Sequence, residues 1–157
     1  MSRTETTEQE TAMTKHVPAP PAPLIDADSI GFWEATREGR LALCRCTDCG
    51  TWLPRPLERC NRCAGPTEFA DVAGTGTVYS HIVVHHPSVP AFASLVPYVV
   101  ALVEFDEGPR LPGILLGESG ADIAVGQRVA AELTLFPGAE ERAVTYRRLP
   151  GGTESGR

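Results

Sequence analysis

Two Cys-x2-Cys pairs, Cys46/Cys49 and Cys60/Cys63, constrain this chain more than any other feature. They sit in Cys46-Thr47-Asp48-Cys49-Gly50 and Cys60-Asn61-Arg62-Cys63-Ala64, each pair closing on a tight turn. Two such knuckles brought face to face supply the four thiolates that a tetrahedral zinc ion takes. The intervening residues 50–59 provide a short strand, a turn bounded by Pro54 and Pro56, and a return, which together describe a zinc ribbon. The stretch 40–69 is too short to fold on an apolar core alone. Bound metal would supply its stability, typically about 10–16 kcal/mol in such sites. Four thiolates also close the coordination shell, so the predicted zinc is structural.

A pair of disulfides is the alternative, and it needs an oxidising compartment. Residues 1–25 carry no secretory signal, because the polar start is followed by no apolar core segment. Disulfide pairing would also leave a fifth cysteine, Cys44, over. Cys44 is read as a small buried hydrophobe on the strand face opposite the ligands. The net charge of −6, and an apolar run at 95–103 interrupted by Pro97 and stopped by Glu104, predict a soluble, cytoplasmic protein that does not enter a membrane.

The expected organisation is a disordered arm over 1–25, an N-terminal helix over 26–39, the ribbon over 40–70, a barrel over 71–150 and a flexible tail over 151–157. The arm is rich in Thr, Glu, Ala and Pro and reads as dispensable. Asp28 or Ser29 is placed to cap the helix, whose apolar side holds Ile30, Trp33 and Phe32. Residues 71–149 hold five strand signals, at 77–86, 98–105, 111–118, 128–136 and 142–149, with no room for a long helix. Five strands in that length fit a small Greek-key barrel of the OB type. The fold class is therefore mainly β: a helix, a rubredoxin-like zinc ribbon and a five-stranded OB-fold barrel.

Candidate contact residues cluster in the barrel. Alternation along its first strand puts Val78, Ile82 and Val84 on one face, and Tyr79, His81, Val83 and His85 on the other. The Tyr/His face is either a ligand surface or an ordinary polar one. The second strand is apolar on both faces: Val99, Ala101, Val103 and Phe105 would fill the barrel, leaving Tyr98, Val100 and Leu102 in need of a cover. The loop 87–97 is apolar and stiffened by prolines, with Val89, Phe92, Leu95 and Val96. It either contacts a partner or an acyl chain, or folds onto its own barrel. Arg37, Arg40, Arg45, Arg55, Arg59 and Arg62 lie near the cysteines in sequence. They either offset the negative charge of a four-thiolate zinc or bind a phosphate-bearing ligand.

The order of motifs resembles a known family. Phe32-Trp33-Glu34 is followed by Leu41-x-Leu43, Cys46-x2-Cys49-Gly50, Trp52-Leu53-Pro54-Arg55-Pro56 and Cys60-x2-Cys63. The barrel then carries Gly76-Thr77-Val78-Tyr79-Ser80, Pro97-Tyr98-Val99-Val100-Ala101 and Val103-Glu104-Phe105-Asp106-Glu107-Gly108. This is similar to the zinc-ribbon plus OB-fold proteins associated with acyl-CoA metabolism and long catalogued as a domain of unknown function, and it covers about 29–150. The resemblance implies a non-catalytic subunit that forms a hetero-oligomer with a thiolase-fold partner (a thiolase, acyltransferase or aldolase) and helps shape a channel for the acyl-CoA ester. The family's zinc ligands carry over onto Cys46, Cys49, Cys60 and Cys63, and no catalytic residue does. Phe92, Leu95, Val96, Tyr98, Tyr79 and His81 are the expected partner or acyl contacts.

Two other readings compete. An OB barrel beside a ribbon invites comparison with single-stranded nucleic-acid binders, which need a positive groove with aromatic platforms. Residues 71–149 instead hold nine acidic residues against five arginines, so no nucleic-acid partner is expected. A small enzyme using His81 or His85 would need a completing carboxylate or nucleophile, and none stands at a suitable spacing.

Overall fold

A computed structural model describes residues 18–153. The helix α1 covers Ile30–Arg37 and is shorter than expected. Asp26 and Ser29 form a closed turn ahead of it: Asp26 Oδ1 accepts from the Ser29 amide at 2.8 Å and from its hydroxyl at 2.6 Å. The Ser29 hydroxyl thus points back into the turn and makes no side-chain cap to the helix. The helix turns Ala35 and Thr36 fully inward and leaves Ile30 exposed, so Ile30 does not belong to the buried side.

Strands β1 (Ala42–Cys46) and β2 (Thr67–Asp71) pair antiparallel, with Cys44 opposite Phe69. All of β1 except Arg45 is buried. Its Cys44 and Cys46 join Leu53 and Cys60 in a small cluster, while Leu43 and the adjoining Leu41 join the large core. The period-2 rule puts Cys44 and Cys46 on one face. Cys44 is indeed a buried small hydrophobe, but it lies on the ligand side of the strand and not opposite it.

Five strands close the barrel: β3 (Thr75–Val84), β4 (Tyr98–Phe105), β5 (Arg110–Leu115), β6 (Gln127–Thr134) and β7 (Ala143–Thr153). Their spatial order is β3-β4-β5-β7-β6 and back to β3. Neighbours are antiparallel except β5 and β7, which run parallel. The barrel fills as the alternation in β4 predicts: Val99, Ala101, Val103 and Phe105 are buried. Val78, Leu115, Val129 and Tyr146 complete this interior. Full burial of such side chains contributes about 1.5–3 kcal/mol each. Tyr146 spends its hydroxyl on the Leu111 carbonyl at 2.9 Å, so its burial strands no polar group. The last strand runs to Thr153, past Pro150, the expected end of the barrel.

The prediction for β3 fails halfway along. A bulge at Tyr79 breaks the register with β4 between Val78 and Ser80. One extra residue reverses every side chain beyond it. His81 now sits opposite inward Ala101, and Val83 opposite inward Val99. Ile82, expected on the same face as Val78, is 63% exposed.

Candidate metal centre and apolar contact surface

The two knuckles share one local plan. In the first, the Gly50 amide donates to the Cys46 carbonyl at 3.1 Å; in the second, the Ala64 amide donates to the Cys60 carbonyl at 2.8 Å. Both closing residues adopt left-handed backbone, φ 70° at Gly50 and 59° at Ala64. Glycine takes that conformation without penalty, whereas alanine is strained in it by about 1 kcal/mol or more. Amides also aim at the sulfurs: Cys49 N–H toward Cys46 Sγ at 3.5 Å, and Arg62 N–H toward Cys60 Sγ at 3.4 Å.

The four Sγ atoms lie within 4.8 Å of one another. Cys46 and Cys63 are 3.5 Å apart, and Cys49 and Cys60 3.7 Å. A tetrahedron with metal–sulfur bonds of about 2.3 Å has edges of about 3.8 Å, so the donor set fits a tetrahedral metal ion. Cys46 and Cys60 are buried, Cys49 and Cys63 exposed. The two exposed thiols are shifted in opposite directions. The Thr51 hydroxyl and amide, together with the Cys63 thiol, bring Cys49 down to about 6. The Gly65 amide pulls Cys63 downward, but the crowd of neighbouring sulfurs outweighs it and pushes that thiol up to about 12. A divalent ion reverses this repulsion and holds every ligand as thiolate.

The arginines around the ribbon divide. Arg37 pairs with Glu141, and Arg40 bridges Glu38 and Asp71. Arg45 lies over the Trp52 ring at 5.3 Å and reaches the Gly50 carbonyl at 3.3 Å. Arg40 and Arg45 are thus engaged at the ribbon's edges, while Arg37 ties α1 to the turn between β6 and β7.

The six expected contact residues do not form one surface. Phe92, in a short 3₁₀ turn (Pro90–Phe92), stacks edge-on against Tyr98 at 6.3 Å and Phe136 at 5.4 Å. Leu95 stands beside Tyr98 and Ile114 along a cleft of about 270 Å³, and Val96 is half-buried. The loop thus folds partly onto its own barrel while Leu95 stays at the surface. Tyr79 is the bulge residue, 47% exposed, with the Arg110 guanidinium 3.5 Å above its ring. His81 turns inward, and its Nδ1 is buried with no hydrogen-bond partner among the described residues. Tyr79 and His81 therefore form no common face, and His85 is exposed beyond the end of β3. Sequence reasoning missed Phe136. Its position just before the Pro137-Gly138 turn, an aromatic closing a strand, was the signal to follow.

This pairing of a four-sulfur ribbon with a closed five-stranded barrel is matched by known proteins. Residues 33–69 match the ChsH2 rubredoxin-like zinc ribbon domain, and residues 70–134 the ChsH2 C-terminal OB-fold domain. A solved structure described as "Ltp2-ChsH2(DUF35) aldolase" superimposes with a TM-score of 0.72 at 38% identity, over 80% of this chain and 98% of that one. The chain belongs to the ChsH2/DUF35 family. Among curated ChsH2-like relatives, it is 40% identical over 131 residues to the probable enoyl-CoA hydratase alpha subunit of Thermomonospora curvata, covering 83% of this chain. It is 34% identical over 115 residues to the 3-oxo-4,17-pregnadiene-20-carboxyl-CoA hydratase alpha subunit of Mycobacterium tuberculosis, covering 73% of this chain. The chain spans only 39% and 36% of the length of those two relatives. Among the described residues, no helix is long and apolar enough to cross a membrane.

Proposed function

We propose that this chain is a non-catalytic subunit of an enzyme complex acting on acyl-CoA esters, and that it braces a thiolase-like partner and helps shape the ester channel. The observation that carries this reading is the structural relative: a chain 38% identical, matched over 98% of its length, and described together with Ltp2 as one aldolase. The hydratase subunits among the relatives support the same substrate class. Cys46, Cys49, Cys60 and Cys63 would hold zinc as scaffolding, with no open position for a substrate. Reactive thiolates of this kind fit a reducing compartment, consistent with the cytoplasm. Phe92, Leu95, Val96 and Tyr98 are the preferred partner or acyl contacts, since they lie together at one end of the barrel. Tyr79 and His81 are weaker choices because the bulge separates them. We retain the division into arm, helix, ribbon, barrel and tail as the working organisation.

A nucleic-acid role has less support, because four of the barrel's five arginines, Arg110, Arg128, Arg147 and Arg148, each face a carboxylate. Co-expression with thiolase-like proteins from the same host tests the proposal. A stable complex is expected, with partner activity or solubility lost when this chain is omitted. A partner fully active and stable by itself would overturn it.

A further inference from the structure

We propose that the proline-rich segment 18–23 is an intramolecular clasp that closes one side of an aromatic cleft, with Pro20 and Pro23 half-buried against it. The cleft has a volume of about 400 Å³ and is walled by Trp33 of α1, Phe92 of the 87–97 loop, Phe136 and the turn that follows it. Ala19, Pro20, Pro21, Ala22 and Pro23 form its remaining wall. Three regions remote in sequence thus line one cleft together with a short stretch that has no regular secondary structure of its own.

The chemistry of both sides fits. Prolines at 18, 20, 21 and 23 hold φ near −65° and push the residues before them toward extended backbone. Such a strand is largely ordered before it docks and offers apolar ring edges to aromatic faces, which is how proline-rich segments are recognised generally. At the turn, Gly138 makes room: a Cβ there would lie 2.9 Å from the Cβ of Ala19. Its φ of 77° is also one that glycine adopts freely. Beside the cleft, the Arg37–Glu141 ion pair ties α1 to the same turn, so the two halves of the receptor are fastened before the segment arrives.

Tethering decides the occupant. Pro23 is seven residues from the first residue of α1, which itself carries the Trp33 wall. A tether that short gives an effective concentration of roughly millimolar. An outside polyproline segment of ordinary affinity cannot compete at micromolar levels. The clasp therefore holds Phe92, and with it the apolar loop, in one position whatever partner the protein meets.

Hydrogen exchange on the full-length protein tests this. Replacing Pro20, Pro21 and Pro23 together by glycine keeps the chain length and leaves the ribbon and barrel interior untouched. The amides of 87–97 and 136–142 should then exchange roughly tenfold faster or more, as expected when three proline restrictions are lifted, while β1 and β2 keep their protection. The readout falls on hydrogen-bonded amides, those of Phe92, Ala93 and Leu95 in the loop and of Ala139 in the turn. Unchanged exchange in 87–97 and 136–142 in the triple variant overturns the proposal.

Discussion

The ribbon and the barrel solve the same problem in opposite ways. The barrel encloses a continuous apolar interior built from Val78, Val99, Val103, Phe105, Leu115, Val129 and Tyr146, and hydrophobic burial holds it closed. The ribbon has only Cys44, Cys46, Leu53 and Cys60 as its buried cluster, with Phe69 packed alongside. Two of those four belong to the candidate metal set. In a region so poor in apolar area, a metal held by the four cysteines would be the main source of stability. The barrel's stability is set by side-chain volume.

That contrast can be broken in order of force. The largest effect should come from Cys60→Ser, or from stripping the metal with a chelator. Either removes most of the roughly 10–16 kcal/mol that a structural site supplies. Metal analysis should fall from one ion per chain toward none, and the amides of β1 and β2 should lose protection while the inward face of β4 keeps it. Simultaneous collapse of β4 would show that the two regions are one cooperative unit. Iron in place of zinc in the purified protein would keep the scaffold but correct the ion.

Next comes Phe105→Ala in the barrel interior, where an aromatic is only 2% exposed. It should cost about 3–5 kcal/mol in chemical denaturation while leaving the metal content unchanged. Tyr146→Phe is smaller. It leaves the Leu111 carbonyl buried without its partner and should cost about 1–3 kcal/mol.

The smallest effect is electrostatic. Arg128 and Thr75 hold the Asp106 carboxyl down to about 2 from its ordinary 3.8. A depressed carboxylate stabilises fully above the unfolded value and ceases to do so as pH falls through the folded one. The Asp106 contribution should therefore be constant above about pH 4 and vanish toward pH 2. Its side chain is about half exposed, so Asp106→Asn should shift stability by less than about 1 kcal/mol near neutral pH. A larger shift would mean that this pair closes the barrel seam between β3 and β6.

Much of this was legible in the residues. The four ligands are local, two turns of fixed spacing, and local chemistry is what a sequence displays directly. The β4 alternation was equally plain, since Val99, Ala101, Val103 and Phe105 obey one period from end to end. The misreadings share another cause. Tyr79 looks like any strand residue, yet it is the extra one in a bulge, and that only shows against the register of β4. The side of β1 taken by Cys44, the seat of residues 18–23 and the part played by Phe136 depend likewise on neighbours distant in sequence. The helix falls short of its expected start because Asp26 and Ser29 satisfy each other.

Every residue of β1 but Arg45 is buried, and Leu43, Cys44 and Cys46 divide between two clusters. Cys44 and Cys46 look toward the sulfur cluster, while Leu41 and Leu43 look into the barrel. With a metal bound, a single ribbon of backbone would serve as party wall between a house kept up by an ion and one kept up by oil. When the ion leaves, the second household loses plaster: Leu41 and Leu43 slacken, and the flank formed with Phe32 and Trp52 opens to water. Metal starvation would then register as a change in the stickiness of the neighbouring barrel before that barrel unfolds.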